Sequence, residues 1–203
     1  IPHPEQDIIC LGINYADHAV ESARFHEDAF LLNREKATYF SKRAYETTGS
    51  GDPIPAYEGL VTELDYEAEL GVVIGRDCKK VSENEAPNHI FGYTIVNDVS
   101  ARNLQTEHNQ WYFGKSLDGF TPMGPCIVTA DEVAFPPALA ISSTVNGELR
   151  QNSNTDHLLH SVAEIISELS QGMTLRAGTI IATGTPAGVG MGFTPPKFLK
   201  KGD

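Results

Sequence analysis

Basic residues are scarce in this chain: 15 Lys and Arg stand against 27 Asp and Glu, a formal charge of −12 over 203 residues. A surplus of that sign repels phosphate backbones and anionic lipid at long range, so neither nucleic acid nor a membrane is expected as a partner. It does not exclude an acidic substrate, because carboxylates that hold a cation are counted as charges the ion would neutralise. Cysteine is also rare. Cys10, Cys78 and Cys126 are odd in number, far apart, and set in or beside apolar runs, which reads as buried free thiols. Long hydrophobic runs are missing: none approaches the ~18 residues of a membrane span, and no charged-then-apolar leader precedes the first strand. A cytoplasmic or organelle-matrix setting is the expectation. Internal repeats and low-complexity tracts are absent as well. With 40% apolar residues the chain can bury one sizeable core, so residues 1–203 are read as one domain, with short terminal pieces expected beyond Ile1 and Asp203.

What the chain does have is 18 Gly and 12 Pro spread along its length, a distribution suited to many short strands joined by tight turns. The apolar run from Ile8 to Leu11 predicts a buried strand ending at Gly12. Asn14 to Arg24 has helical propensity, and one turn of helix would bring His18 and Glu21, three apart, to the same face. Little apolar periodicity follows, so about 15–36 reads as a mobile lid over a site. Further strands are predicted at Thr38–Lys42, Ile90–Val96, Cys126–Ala130 and Thr179–Thr183, with a hairpin about Asn146-Gly147. Short helices are predicted at Asn84–His89 and Ser100–Gln110, and Trp111–Phe120 reads as a glycine-punctuated loop. Leu158, Leu159, Val162, Ile165, Ile166 and Leu169 recur at helical spacing up to Gly172. Strands dominate; the fold class is mostly β with few helices.

One strand stands apart. From Thr62 to Gly75 the sequence alternates, with Leu64, Tyr66, Ala68 and Leu70 on one face and Glu63, Asp65, Glu67 and Glu69 on the other. Alone, that pattern fits a solvated sheet face equally well. The flanking run of Leu70, Val72, Val73 and Ile74 belongs to a buried strand, so Glu67 and Glu69 are expected to enter the interior, where carboxylates need a cation or a dense set of donors. Asp98, just past the strand Ile90–Val96, supplies a third oxygen ligand if the two strands run side by side. A set of carboxylates without Cys or His favours a hard ion, Mg²⁺ or Mn²⁺, with Ca²⁺ also open. Glu63 and Asp65 read as surface or supporting groups outside the ligand set.

The segments LDYEAELGVVIG, GYTIVNDVSARNLQ, QWYFGKSLDGFTPMGP and IATGTPAGVG, with LGINYADH near the start, resemble in order and spacing the fumarylacetoacetate hydrolase superfamily, particularly its single-domain members. The resemblance covers about Leu11 to Asp203. It implies a mixed β-roll around a highly twisted sheet, a homodimer, and Mg²⁺ or Mn²⁺ in an open site. It also implies roles: Glu67, Glu69 and Asp98 as metal ligands, Lys115 as the active-site lysine, Arg102 and Gln105 near the substrate carboxylate or carbonyl, and Gly184 and Thr185 on a loop that holds substrate oxygens. His18 and Glu21 match a pair that closes over substrate from the lid. Two departures stand out: Lys42 is followed by Arg43 where many relatives have proline, and the lid is long and charged.

Physical chemistry supports the same roles. A lysine ammonium and a divalent ion on either side of a 2-oxo acid would stabilise the enolate formed on C–C cleavage or decarboxylation. An imidazole held by a nearby carboxylate could activate water. The expected function is a metal-dependent hydrolase or decarboxylase of a small 2-oxo or 2,4-dioxo acid, of acylpyruvate or oxaloacetate type. The alternatives are a 2-hydroxyhepta-2,4-diene-1,7-dioate isomerase or decarboxylase, and a non-catalytic metal-binding relative.

Overall fold

The computed structural model describes residues 1–22 and 36–203, so the lid expectation for residues 23–35 lies outside the described residues. In chain order the elements are β1 (Ile8–Leu11), α1 (Ala16–Ser22), β2 (Tyr39–Lys42), β3 (Leu64–Asp65), β4 (Ala68–Ile74), β5 (Ile90–Asn97), β6 (Ser100–Ala101), α2 (Arg102–Glu107), α3 (Tyr112–Lys115), β7 (Met123–Thr129), β8 (Ala140–Val145), β9 (Glu148–Asn154), α4 (Val162–Gly172) and β10 (Ile180–Ala182). The protein is mostly β. Six strands form one mixed sheet in the order β2-β1-β10-β4-β5-β7, in which β1 and β10 run parallel and every other neighbouring pair is antiparallel. β3 pairs with β6, and β8 with β9.

Both faces of the central strands are covered, which is why their sequences are almost wholly apolar. On one face α4 lays Val162, Ile165, Ile166 and Leu169 against Leu70, Val72, Ile74 and Ile181. Each of those helix side chains contributes roughly 1.5–3 kcal/mol by leaving water. The helix begins where Ser161 accepts the Glu164 N–H (3.2 Å), so Leu158 and Leu159 precede it although the periodicity includes them. On the other face Ile8, Cys10, Val96, Met123, Ile180 and Ala182 pack together. The β8–β9 hairpin turns at Asn146 and Gly147, both with positive φ (51° and 81°), as the Asn-Gly pair requires.

Three expectations need correction. Residues 62–75 are not one alternating strand: the ladder breaks at Tyr66 and Glu67, β3 pairs with β6, and every residue from Leu64 to Ile74 is buried. Neither face of this segment meets water. The loop 111–120 contains the helical turn α3, which ends on Lys115. Cys10 and Cys78 are buried free thiols as expected, but Cys126 is exposed because β7 is an edge strand.

Candidate metal and active site

The register of β4 against β5 brings the acidic residues together. Ala68 lies opposite Asn97 and Glu69 opposite Val96. One step past the ladder Asp98 meets Glu67, and its N–H donates to the Glu67 carbonyl at 2.9 Å. Glu67 and Glu69 are two apart and share a direction, so ligand oxygens from Glu67, Glu69 and Asp98 lie within 4.8 Å of one another, all three residues buried.

Such a cluster needs cations, and the described residues place three beside it. Lys115, at the end of α3, places its Nζ 2.8 Å from Glu67 Oε2 and 2.7 Å from Asp98 Oδ2. Lys42, at the end of β2, is fully buried; its Nζ lies 2.7 Å from Asp98 Oδ1, off the axis of a hydrogen bond, and donates to the carbonyls of Val99 and Lys115. Arg102 donates from Nε to Asp65 Oδ2 (2.9 Å) and from Nη1 to Gln105 Oε1 (3.0 Å), while Nη2 lies 2.7 Å from Glu67 Oε1. Burial pushes the Glu67 carboxyl up, but Lys115 and Arg102 beside it outweigh burial and hold it down at about 2. Burial pulls Lys115 down, and Asp98 and Glu67 more than reverse that, so its ammonium is held above the usual lysine range.

Glu69 is the member these cations leave out. Its Oε2 accepts the Gly184 N–H at 2.8 Å, and its Oε1 has no hydrogen-bond partner among the described residues. Burial, then the charges of Asp98 and Glu67, push its carboxyl well above the ordinary value. Asp65, Glu67, Glu69 and Asp98 outnumber Lys42, Arg102 and Lys115, and a buried carboxylate oxygen is left over. An all-oxygen donor set with one oxygen unsatisfied fits a hard divalent ion.

The remaining residues frame a cleft of about 20 Å³ bounded by His18, Phe40, Glu67, Arg102, Gln105 and Lys115 among others. It shares Phe40, Gln105, Trp111 and Met191 with a neighbouring cavity of about 370 Å³. His18, on α1, is nearly buried, and its Nδ1 meets Glu21 Oε2 at 2.9 Å. Gly184 and Thr185 lie apart from the cleft walls: the Gly184 amide holds Glu69, and the buried Thr185 hydroxyl donates to Ala68 O (2.9 Å) and accepts from Gln151 (2.7 Å). In this structure the two residues fasten the ligand strand.

Sequence reasoning missed Lys42 and Gln151 as members of this framework and left Asp65 between a surface and a supporting role; the structure makes it a supporting one. Asp65 is fully buried and accepts from Arg102 Nε, Tyr66 N (2.9 Å), Gly190 N (2.6 Å) and Met191 N (3.0 Å). Asp65→Ala would strand a buried guanidinium and two loop amides. It should lower folding stability by about 3–5 kcal/mol, a fall in midpoint of roughly 6–20 °C in thermal unfolding. A change within about 2 °C would show that Asp65 holds none of them.

These features define a β-rich protein in which a buried carboxylate trio converges beside the six-stranded sheet, with Glu67 of that trio and the Lys115 ammonium bordering a narrow cleft. The family profile described as fumarylacetoacetate (FAA) hydrolase C-terminal matches residues 7–203, and the chain belongs to that family. It is 49% identical over 203 residues to the oxaloacetate tautomerase YisK of Bacillus subtilis, an alignment spanning 100% of this chain and 66% of that protein. The chain thus spans just under two thirds of that curated relative's length. Among solved structures it is similar to the fumarylacetoacetate hydrolase of Exiguobacterium antarcticum (45% identity, TM-score 0.85, covering 97% of this chain and 68% of the other). It is also similar to the fumarylpyruvate hydrolase of Pseudomonas aeruginosa solved with Mn²⁺ and pyruvate (31% identity, TM-score 0.78, covering 97% and 82%).

Proposed function

We propose that this chain carries a divalent-metal-dependent active site that forms and reprotonates the enolate of a small 2-oxo carboxylic acid, with oxaloacetate the first substrate to test. The observation that carries the reading is the trio Glu67, Glu69 and Asp98 converging beside the Lys115 ammonium, with one Glu69 oxygen unpartnered. The names of the relatives agree with it: one is an oxaloacetate tautomerase, and another was solved with Mn²⁺ and pyruvate.

Glu67, Glu69 and Asp98 would hold Mg²⁺ or Mn²⁺, which when bound supplies Lewis-acid stabilisation of negative charge on a 2-oxo group. The chain's own residues do the rest. Lys115 keeps its proton, because two carboxylates hold it, and offers a fixed positive charge beside the cleft where enolate charge develops. Arg102 pins Gln105 through Oε1, leaving the Gln105 amide nitrogen for the cleft it lines. Arg102 itself is turned mainly toward Asp65 and Glu67, so contact with a substrate carboxylate would use whatever face of the guanidinium the cleft reaches. His18 is the group to move the proton: with Nδ1 committed to Glu21, Nε2 is the ring nitrogen left to take a proton from C3 of the substrate and return it.

For tautomerisation, C3–H transfers its proton to His18 Nε2, the C–H electron pair becomes the second bond between C2 and C3, the carbonyl pair moves onto the C2 oxygen, and His18 gives the same proton to that oxygen. Decarboxylation leaves the same charge on loss of CO₂, and His18, having taken a proton from solvent, then delivers it to C3. The neighbouring cavity favours a second reading, hydrolysis of a longer 2,4-dioxo acid, since it would house an acyl group beyond the 2-oxo end. A panel of oxaloacetate and acylpyruvates, assayed with Mg²⁺ or Mn²⁺ and with chelator, tests these readings if enol–keto interconversion, CO₂ and pyruvate are followed separately. Turnover that survives the chelator, or none with any 2-oxo acid, would overturn the proposal.

A further inference from the structure

We propose that Gly192 is a positioning residue for the His18–Glu21 pair: having no side chain, it leaves the space in which the Glu21 carboxylate stands. Glu21 reaches out from α1 and is held at both oxygens, Oε2 by His18 Nδ1 (2.9 Å) and Oε1 by the N–H of Gly188 (3.0 Å). A Cβ built on Gly192 would overlap that carboxylate and come within 2.7 Å of Glu21 Cγ, and its three nearest heavy atoms all belong to Glu21. Gly192 is not among the glycines with positive φ, so its backbone accepts alanine without strain. What alanine would disturb is Glu21.

The loop is the less yielding partner. Gly190 N and Met191 N donate to the buried Asp65 carboxylate, and Gly192 N donates to Val189 O (2.9 Å). Gly188 packs against the backbone of Arg150, leaving no room for a shift on that side. With the loop fixed, a methyl group at residue 192 must drive Glu21 off one or both of its bonds. Losing the Gly188 bond frees α1 from the loop; losing the His18 bond leaves the imidazole without the acceptor that sets its tautomer and orientation. One loop therefore holds Glu21 on one side and, through Asp65 and Arg102, Glu67 on the other. Gly192 acts through Glu21, not on the substrate.

The inference rests on the reading of His18 as the proton-transfer group, and a double-mutant cycle separates the two. Gly192→Ala, Glu21→Ala, His18→Ala and the double variant Gly192→Ala/Glu21→Ala would be compared in the metal-loaded protein, with amide exchange of residues 16–22 followed in parallel. Gly192→Ala should lower kcat by about 10- to 100-fold with KM within about threefold. Its melting temperature should stay within about 2 °C, and exchange in α1 should become faster. The double variant should be no slower than Glu21→Ala alone, because the methyl group then has nothing to displace. Multiplying effects in the double variant, full turnover in Gly192→Ala alongside a slow Glu21→Ala, or unchanged α1 exchange in Gly192→Ala would each overturn the proposal. Unimpaired turnover in both His18→Ala and Glu21→Ala, with α1 still loosened by Gly192→Ala, would instead remove the catalytic reading and leave the positioning relation standing.

Discussion

Lys115→Met is expected to lower kcat by on the order of 10²- to 10³-fold while KM changes far less. The ammonium sits 2.7 and 2.8 Å from two carboxylates of the candidate ligand trio and borders the cleft, so it is close to where enolate charge would appear and shielded from water that would screen it. Methionine keeps the apolar length of the side chain and removes the charge, leaving the packing near Phe40 largely in place. Affinity for Mn²⁺ should hold or tighten, because the variant removes a cation that competes for Glu67 and Asp98. Steady-state kinetics with calorimetry on the same sample checks both halves. An effect confined to KM would move Lys115 to a binding role, and a parallel loss of metal affinity would make it a scaffold for the ligands.

The second large effect concerns metal binding and separates two neighbouring carboxylates by sign. Glu69→Gln should lower Mn²⁺ affinity by about 10²-fold or more, since a ligand charge is lost, yet leave the metal-free melting temperature unchanged or higher. Glu69 is buried with one oxygen unpartnered and its charged form disfavoured by burial, Asp98 and Glu67, so neutralising it relieves the metal-free protein. Glu67→Ala should also weaken metal binding, but here the metal-free protein loses about 3–5 kcal/mol, because Lys115 and Arg102 are left facing a missing partner. Calorimetry and thermal unfolding in chelator read the two quantities separately. Equal destabilisation by both variants would mean that Glu69 is paired as well as Glu67, and the trio would lose its reason to hold a cation.

The opposite behaviour of Glu67 and Glu69 also shows where the sequence was readable. Alternation beside a wholly apolar run put both residues in the interior, and a lone aspartate after the next strand completed the trio; the β4–β5 register then brought the three together. Five quoted segments carried the family, which the profile over residues 7–203 shows. The strand-rich class, the hairpin at Asn146-Gly147 and α4 followed from local chemistry.

What was not legible depended on long-range pairing. Asp65 looked like the next residue in an alternating series, and only the break at Tyr66 and Glu67 turns it into the acceptor for Arg102 and the 190–191 amides. Lys42 ends a short strand, where a lysine is ordinarily a solvated cation; its burial follows from Asp98, 56 positions away in the chain, arriving beside it. Gln151 carries no sign of its role, because its partners Ala68, Thr185 and Pro186 come from two distant segments. Gly184 and Thr185 read, by resemblance, as part of a loop that holds substrate oxygens, and in the structure the Gly184 amide faces Glu69 and the Gly188 amide faces Glu21. A sequence shows that donors are present, and the fold decides what they meet.

In the proposed function this site removes and returns a proton next to a 2-oxo group with help from a divalent ion and His18. This proton transfer is tested most directly by proton NMR of oxaloacetate in D₂O, following deuterium entry at C3 with enzyme plus Mg²⁺ or Mn²⁺, with enzyme plus chelator, and with His18→Ala plus metal. The expected result is enzyme-dependent exchange that is lost with chelator and falls by about 10²- to 10⁴-fold in His18→Ala, the range in which a positioned general base contributes. Exchange at the rate of metal and buffer alone in the presence of metal-loaded enzyme, or exchange unaffected by chelator, would contradict it.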